Sequence, residues 1–313
     1  MVRLKTKGVG MTKNQNTVKI KNKLSPLTIT LLTVLVVYVV FMLALFLWAL
    51  VTASKKYSGD YSSIDPTVPN NIIGLPKEFY FFKNVSKLNQ GFADFTLIEM
   101  AINTVLYSFG CSFLKIVVTC LVAYLCARYE NWFSKIVYTT VIVTMIIPVV
   151  GNQAAEIQLA ETLGLRNQIW GMWIMRANFL GMYFLVFYSV FKTMPKGYYE
   201  AAKIDGANDM QVMIKVALPL IKYTFLSIFL ILFIEYWNDY LIPNLYLPKY
   251  KTLSLALYHQ STGQELNAQF KREMSRVPAL MASVIVITVP VIVLFCIFSK
   301  RLMGNLSVGG LKG

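Results

Sequence analysis

Long apolar runs separated by polar segments dominate the chain. Six of these runs are candidates for membrane-spanning helices, because a helix needs about 20 residues to cross the hydrocarbon core. They cover approximately residues 27–53, 98–126, 136–150, 170–191, 223–242 and 278–298. None alternates like a strand of a membrane barrel, and lipid cannot satisfy an open backbone. The pattern therefore predicts an all-α integral membrane protein with six transmembrane helices, and only the outer boundary of the third, near Pro148, stays open.

The composition agrees with a location in the membrane. Hydrophobic residues make up 56% of the 313 residues and charged residues only 14%, which is too apolar for a soluble domain of this length. The net charge of +15 does not indicate a nucleic-acid partner, since seven of the 30 Lys and Arg residues fall in the first 26 residues, directly before an apolar run. Such a placement is typical of a cytoplasmic flank.

The Lys and Arg residues also predict the orientation. With a cytoplasmic N-terminus, 17 of them lie in inner segments and 11 in outer loops, so both termini are predicted to be cytoplasmic. The predicted organisation is a basic N-terminal arm over 1–26, a transmembrane domain over 27–299 and a cytoplasmic tail over 300–313. The first span is too long for the core of a signal peptide and is predicted to stay uncleaved. Residues 54–97, with three prolines, are predicted to form an irregular outer loop.

The chain lacks the sequence motifs of common catalytic sites. It has no Walker sequence, HExxH pair, GxSxG elbow or CxxC pair, so neither a catalytic residue nor a metal site is predicted. The four cysteines fall within or at the ends of apolar runs and are predicted to be packing residues. His259, the only histidine, falls in a predicted outer loop and is expected at the surface.

The segment over 192–222 is predicted to lie in the cytoplasm and has the pattern of two short helices. Residues 198–205 are good helix formers, and Gly206 is placed as a C-terminal cap. Asn208 or Asp209 can cap a second helix. The apolar face of this second helix follows the spacing i, i+3, i+4, i+7, i+8 and consists of Met210, Met213, Ile214, Ala217 and Leu218.

Pro219 is expected to end or bend the second helix just before the fifth span. The helix, glycine turn and helix that result have small and apolar side chains on one side. The pattern alone leaves two interpretations open: a docking element for a partner protein, and an amphipathic pair that lies on lipid headgroups.

The same segment resembles the EAA loop of the inner-membrane permease subunits of bacterial ABC importers. The matching positions are Glu200, Ala201, Ala202, Gly206, Val216, Leu218 and Pro219, with valine at 216 where isoleucine is usual. Further stretches match in order the carbohydrate-uptake branch of that family, and in particular the second maltose-type permease subunit. They include "NTVLYSFG" at Asn103, "TLGLRNQIWG" at Thr162, "YWNDYLIP" at Tyr236 and "LSVGGLKG" at Leu306.

The resemblance implies a type I ABC importer permease fold and a division of labour between chains. The EAA loop is the coupling helix of that family, which would give an ATPase-coupling role to Glu200, Ala201, Ala202, Asp205, Gly206, Leu218 and Pro219. The implied partners are a second permease subunit, two ATPase subunits and an extracytoplasmic solute-binding protein, within the lipid of the bacterial plasma membrane. ATP and Mg would bind to the ATPase, so no cofactor is expected on this chain. The implied cargo is a sugar or oligosaccharide, and a non-sugar solute stays open.

Four charged residues fall inside predicted spans, where a charge near the bilayer centre costs about 2.5 to 3.5 kcal/mol on insertion scales. Arg176 is expected to extend outward from the start of the fourth span, and Lys115 lies in the second. In the fifth span, helical spacing puts Glu235, Asn238 and Asp239 on one face, beside Trp237. We interpret these four residues as a substrate pathway. The alternative is a polar clamp between helices, formed by Glu235 or Asp239 with Lys115.

Two other classes of membrane protein fit the sequence less well than an importer subunit. A free-standing secondary transporter or channel would account for charges within spans but not for the helix, glycine turn and helix in the cytoplasm, and no internal repeat is visible. An intramembrane enzyme would need a nucleophile, base or metal set, and the sequence offers none.

Overall fold

The computed structural model describes residues 25–56, 74–76, 78–91, 95–147, 151–263 and 277–303. Most of the predicted N-terminal arm and of the C-terminal tail lies outside these ranges. The chain divides into two units, 1–47 and 48–313. The described part of the first unit, residues 25–47, is the beginning of one apolar helix without a charged side chain.

The described residues form helices and connecting segments, with no strand among them. In chain order the helices are α1 Pro26–Ala53, α2 Phe81–Gly91, α3 Leu97–Arg128, α4 Trp132–Ile146, α5 Gln153–Thr162, α6 Ile169–Arg176, α7 Met182–Lys192, α8 Gly197–Ile204, α9 Asp209–Val212, α10 Leu218–Asn238, α11 Leu241–Tyr246, α12 Leu253–Thr262 and α13 Val277–Met303. A π-helix over Met213–Ala217 joins α9 to α10. The predicted all-α fold class is confirmed.

Within the described residues, four helices are long and apolar enough to cross a membrane: Pro26–Ala53, Leu97–Arg128, Asp209–Asn238 and Val277–Ser299. Two shorter apolar helices, α4 and α7, occupy the positions of the predicted third span and of the second half of the fourth. The predicted third span begins four residues earlier than expected, at Trp132, and its predicted end over 148–150 lies outside the described residues.

The fourth predicted span, 170–191, is wrong as a single helix. It is divided into α6 and α7 by residues 177–181. Gly181 has a φ of 127°, a conformation that other residues rarely adopt, and it precedes the first residue of α7. The fifth predicted span also ends early, because the backbone leaves the helical region at Asp239 and α11 begins only at Leu241.

The predicted irregular loop over 54–97 is wrong over residues 81–91, which form the amphipathic helix α2. Its Asn84 and Leu88 side chains are buried, and the Asn84 amide donates to the carbonyl oxygens of Ala53 at 2.8 Å and Lys55 at 2.9 Å. These bonds fix α2 to the end of α1, and α2 also packs against α13. Residues 57–73, 77 and 92–94 of this segment lie outside the described residues.

Helix α3 is the centre of the core and packs against α6, α7 and α10. Small residues permit this close packing: a Cβ added at Gly110 would come within 2.1 Å of the Trp173 ring. The Trp173 indole donates to the Leu106 carbonyl at 3.0 Å, which fixes α6 against α3. Three of the cysteines expected to be packing residues, Cys111, Cys120 and Cys126, are buried in this core, whereas Cys296 is exposed.

Candidate functional site

The predicted pair of short helices is present and is organised around Gly206. Helix α8 ends at Ile204, and Gly206 has a φ of 81°, the left-handed conformation that suits glycine. Asn208 caps α9 by accepting from the Gln211 backbone N–H at 2.8 Å, while the Gln211 side chain accepts from the Asn208 N–H at 2.9 Å. Sequence and structure therefore agree on a helix, a glycine turn and a helix.

One side of this segment is fixed to the transmembrane core. Tyr199 is buried, its ring lies 6.3 Å from that of Tyr124, and the Arg128 guanidinium stands 4.7 Å from the Tyr199 ring centre. Across the glycine turn, Lys203 Nζ lies 2.7 Å from Asp209 Oδ1 and joins α8 to α9. The segment is therefore held at the end of α3 with a defined orientation.

The other side of the segment faces solvent. Glu200, Ala201, Asp205 and Gly206 are exposed, and Ala202 is half-buried. Around them lie large apolar side chains that the described residues leave exposed; Ile204 is 86% exposed. Tyr198, Met210 and Ile214 are exposed as well. We call the exposed residues of this side the docking face, which consists of Tyr198, Glu200, Ala201, Ile204, Asp205, Gly206, Met210 and Ile214.

The single apolar face predicted for the second helix is wrong. Met213 and Ala217 are buried in the core, whereas Met210 and Ile214 point outward and Leu218 is half-buried. The π-helix over Met213–Ala217 widens the turn and separates the two apolar stripes.

Pro219 neither ends the helix nor starts a new segment. It occupies the first turn of α10. The π-helix ends directly before α10, where the Leu218 N–H donates to the Met213 carbonyl oxygen. A proline is tolerated there because its missing N–H is not needed at the start of the regular helix. Residues 209–238 are thus one continuous helical element.

A cluster of polar side chains, the Asp239 group, lies in the core between the end of α10 and the start of α11. Asp239 Oδ2 accepts a hydrogen bond from the Tyr107 hydroxyl at 2.8 Å, and its Oδ1 accepts from the Ile242 N–H at 3.2 Å. The Tyr107 ring stands edge-on to Tyr236 at 5.8 Å, and Lys115 Nζ lies 5.7 Å from the Tyr236 ring centre. One group therefore connects α3 with the C-terminal end of α10.

This geometry contains an interhelical polar contact of the kind the clamp alternative describes, but with a different partner from the predicted Lys115. In the described part of the chain, no carboxylate oxygen lies within 4.0 Å of Lys115 Nζ, and the group that holds Asp239 is the Tyr107 hydroxyl. Tyr107 and Tyr236 were missed by the sequence analysis. Both fall in the quoted stretches "NTVLYSFG" and "YWNDYLIP", so a hydroxyl opposite an intramembrane carboxylate was the available signal.

The four residues assigned to a substrate pathway do not share one environment. Glu235 and Asn238 are exposed in the isolated chain, and Asp239 is half-buried. Trp237 is buried on another side of α10, where its indole donates to the Ile287 carbonyl at 3.1 Å. The structure places Trp237 in the packing of α10 against α13 and separates it from the other three.

Arg176 and His259 both contact residues of the segment that follows α10. Arg176 is the last residue of α6 and is half-buried, with its guanidinium 5.6 Å from the ring centre of Tyr246, in the segment that follows the fifth predicted span. The Tyr246 hydroxyl donates to Glu156 at 3.2 Å. The expectation of a surface histidine is wrong, since His259 is buried on α12 with Nε2 3.2 Å from Asn244 Oδ1.

Comparison with known proteins identifies the family. Residues 115–306 match the model of a family described as the inner membrane component of binding-protein-dependent transport systems. The chain belongs to this family. The match includes the docking face and most of the polar group around Asp239, and it confirms the resemblance to ABC importer permeases.

Curated relatives align over most of the chain. The diacetylchitobiose uptake permease NgcG of Streptomyces coelicolor is 25% identical over 282 residues, which cover 88% of this chain and 86% of the relative. The melibiose/raffinose/stachyose import permease MelC of Bacillus subtilis is 26% identical, with 85% and 90% covered. The maltodextrin permease MdxG of Bacillus subtilis is 24% identical, with 96% and 100% covered.

A solved structure shares the fold. It is a bacterial ABC transporter that imports the acidic polysaccharide alginate, and one of its chains matches with a TM-score of 0.72 at 20% identity. The match covers 88% of this chain and 95% of that chain. The chain is accordingly a multi-pass membrane transport subunit with the permease fold of an ABC importer.

Proposed function

We propose that this chain is one permease subunit of an ATP-driven importer that moves a sugar or oligosaccharide into the cytoplasm. The observation that carries the proposal is the docking face, an exposed apolar surface around the EAA pattern that is fixed to the transmembrane core on its other side. A segment that only lay on lipid would not need the buried Tyr199 anchor or the ion pair between Lys203 and Asp209.

The docking face inserts into a cleft of a separate ATPase subunit. Glu200 pairs with a basic group there, while Ala201 and Gly206 permit close approach of the two backbones, and Ile204 enters an apolar part of the cleft. ATP and Mg bind to that partner, so this chain supplies neither a cofactor site nor a catalytic residue. The complete importer contains two ATPase subunits, a second permease subunit and an extracytoplasmic solute-binding protein. The docking face and both termini lie in the cytoplasm.

A carbohydrate is the proposed cargo because relatives that align over nearly the whole chain are named for oligosaccharide uptake. Glu235, Asn238 and Asp239 are the proposed pathway residues, with Tyr107 added from the structure. Glu235 and Asn238 offer exposed polar atoms at the level of the Asp239 group. In the assembled importer this side faces the second permease subunit, so the passage lies between the two.

Reconstitution tests the proposal. The full chain is purified with the subunits that accompany it, the solute held by the binding protein is identified by mass spectrometry, and its ATP-dependent uptake into proteoliposomes is measured. We expect an ATPase and a second permease in the complex and a sugar in the binding protein. Uptake that continues without any ATPase would refute the coupling role, and a non-sugar solute would refute the proposed cargo only.

A further inference from the structure

A polar cleft opens between the first turns of α4 and the end of α7. It has a volume of about 410 Å³. We call it the α4–α7 cleft, and the side chains that matter here are Glu130, Lys135, Tyr138, Thr139, Tyr188 and Lys192. Neither the coupling role nor the proposed passage uses these residues.

The cleft carries an excess of positive charge. Lys192 forms an ion pair with Glu130, which connects the turn after α3 to the end of α7. Lys135 has no ion pair in the described part of the chain. The charges of Lys196 and Lys135 also act on Glu130 and, after the bond from Lys192, help to lower the pKa of its carboxyl. Of the lining residues, two lysines face one carboxylate, so the cleft keeps one cation beyond the Lys192–Glu130 pair, which favours an anion.

The cleft continues into an apolar groove along α4. This groove has a volume of about 340 Å³ and shares Lys135 and Thr139 with the cleft. Beyond them it is lined by Ile136, Thr140 and Val143, of which Ile136 is 48% and Val143 43% exposed. A cationic compartment thus adjoins an open apolar groove along the apolar helix α4.

Aromatic side chains mark the level of this end of α4. Trp132 and Phe133 are 72% and 60% exposed at its first turn. Exposed tryptophan is typical of the boundary between lipid headgroups and acyl chains. The cleft is therefore at headgroup level, and the groove runs toward the hydrocarbon. Since α7 leads directly into α8, the cleft lies on the same side of the membrane as the docking face.

We propose that the α4–α7 cleft binds the phosphate of an anionic phospholipid from the cytoplasmic leaflet, with an acyl chain of that lipid in the α4 groove. Lys135 supplies the unpaired charge, and Tyr138, Thr139 and Tyr188, which also line the compartment, carry hydroxyls that can donate hydrogen bonds. Basic pockets between transmembrane helices on the cytoplasmic side bind such headgroups. The assignment to the cytoplasmic leaflet rests on the proposed function. The binding of an anionic lipid rests only on the residues of the cleft and the groove.

Native mass spectrometry tests this site with the full chain and the subunits that accompany it in detergent. Dioleoyl phosphatidylglycerol is compared with dioleoyl phosphatidylcholine, which has the same acyl chains and no net charge. We expect one phosphatidylglycerol to be retained in preference. Lys135→Ala should weaken its binding about fivefold, as expected for one cation near an anionic headgroup. Lys135→Arg should restore it, and Lys222→Ala, which removes an exposed lysine outside the cleft, should leave it unchanged.

Two further measurements distinguish a bound lipid from bound inorganic phosphate. They also distinguish a specific site from general attraction to surface lysines. Val143→Trp should weaken phosphatidylglycerol binding by filling the groove, and excess inorganic phosphate should not displace the lipid. Equal losses in Lys135→Ala and Lys222→Ala, or no preference for phosphatidylglycerol, would overturn the proposal. Displacement by inorganic phosphate would assign the cleft to a soluble anion and refute the lipid. Binding is detected by mass, so a chain that retains lipid without ATP-dependent uptake would refute only the proposed function.

Discussion

Substitutions at Gly206 can separate two effects of a side chain in the docking face: a steric clash with a partner protein and strain in the left-handed backbone. A Cβ built at this position has no neighbouring atom within 4 Å, so the isolated chain offers no steric objection. The backbone conformation does disfavour a side chain, because φ at Gly206 is 81°. For alanine in this left-handed conformation the strain is about 1 to 2 kcal/mol, which lowers the population of the correct turn by a factor of about 5 to 30. Asparagine tolerates the same conformation better, although it is larger.

The two variants therefore give opposite orders under the two models. If the turn enters a close-fitting ATPase cleft and size dominates, Gly206→Asn impairs coupling more than Gly206→Ala. If only the turn geometry matters, Gly206→Ala is the more damaging change. Gly206→Trp extends the series and should abolish ATPase association while leaving the helices inserted. We expect the order Trp, then Asn, then Ala, from most to least impaired.

The assay is ATP hydrolysis and solute uptake by the reconstituted complex, with the ratio of the two as the measure of coupling. Membrane insertion and the amount of co-purified ATPase are the controls for folding and assembly. Normal hydrolysis and normal uptake in Gly206→Trp would refute the assignment of this turn to the coupling interface. An order with alanine as the worst variant would refute the close fit and retain only the requirement for a left-handed turn.

Three other predictions follow from the same structure. Glu200→Lys should reduce ATPase association because a carboxylate at the interface becomes a repelled cation; stronger binding to anionic vesicles without loss of ATPase would favour a lipid-surface role. Tyr107→Phe removes the hydrogen bond to the Asp239 carboxylate, which is worth about 1.5 to 3 kcal/mol, so thermal unfolding should show a lower Tm. A double-mutant cycle with Asp239→Asn should give non-additive losses in Tm and in uptake. On a cysteine-free background, cysteines at positions 206 and 262 should be labelled from opposite sides of the membrane, and labelling of both from one side would contradict the predicted topology.

The sequence predicted those features that local chemistry determines. The apolar runs located the long helices, since only a helix satisfies its own backbone in lipid. Gly206 and Asn208 predicted the turn and the cap between α8 and α9, because a left-handed residue and a side-chain acceptor are local requirements. In each case the signal and the structure it specifies lie within a few residues of each other.

Features that depend on distant contacts escaped prediction. Helix α2 is short and polar, and it is held by bonds from Asn84 to the end of α1, some 30 residues earlier. The break between α6 and α7 falls in a run that is apolar on both sides. An almost wholly apolar α10 gives no indication of which side faces the core, so Trp237 was grouped with exposed neighbours. The partner of Asp239 lies 132 residues away on α3.

The continuous helical element over 209–238 gives the permease a lever. Its 30 residues correspond to a rod about 45 Å long, which begins beside the Gly206 turn and ends at Asp239. A rigid rod transmits a tilt imposed at one end as a displacement of the other, without any rearrangement of side chains between them. The π-helix over Met213–Ala217 lies near the docking end, so the length from Leu218 to Asn238 that crosses the membrane is α-helix throughout. If the docking face binds an ATPase as proposed, movement of that partner would reach the carboxylate of Asp239 as a mechanical stroke, through a single piece of backbone.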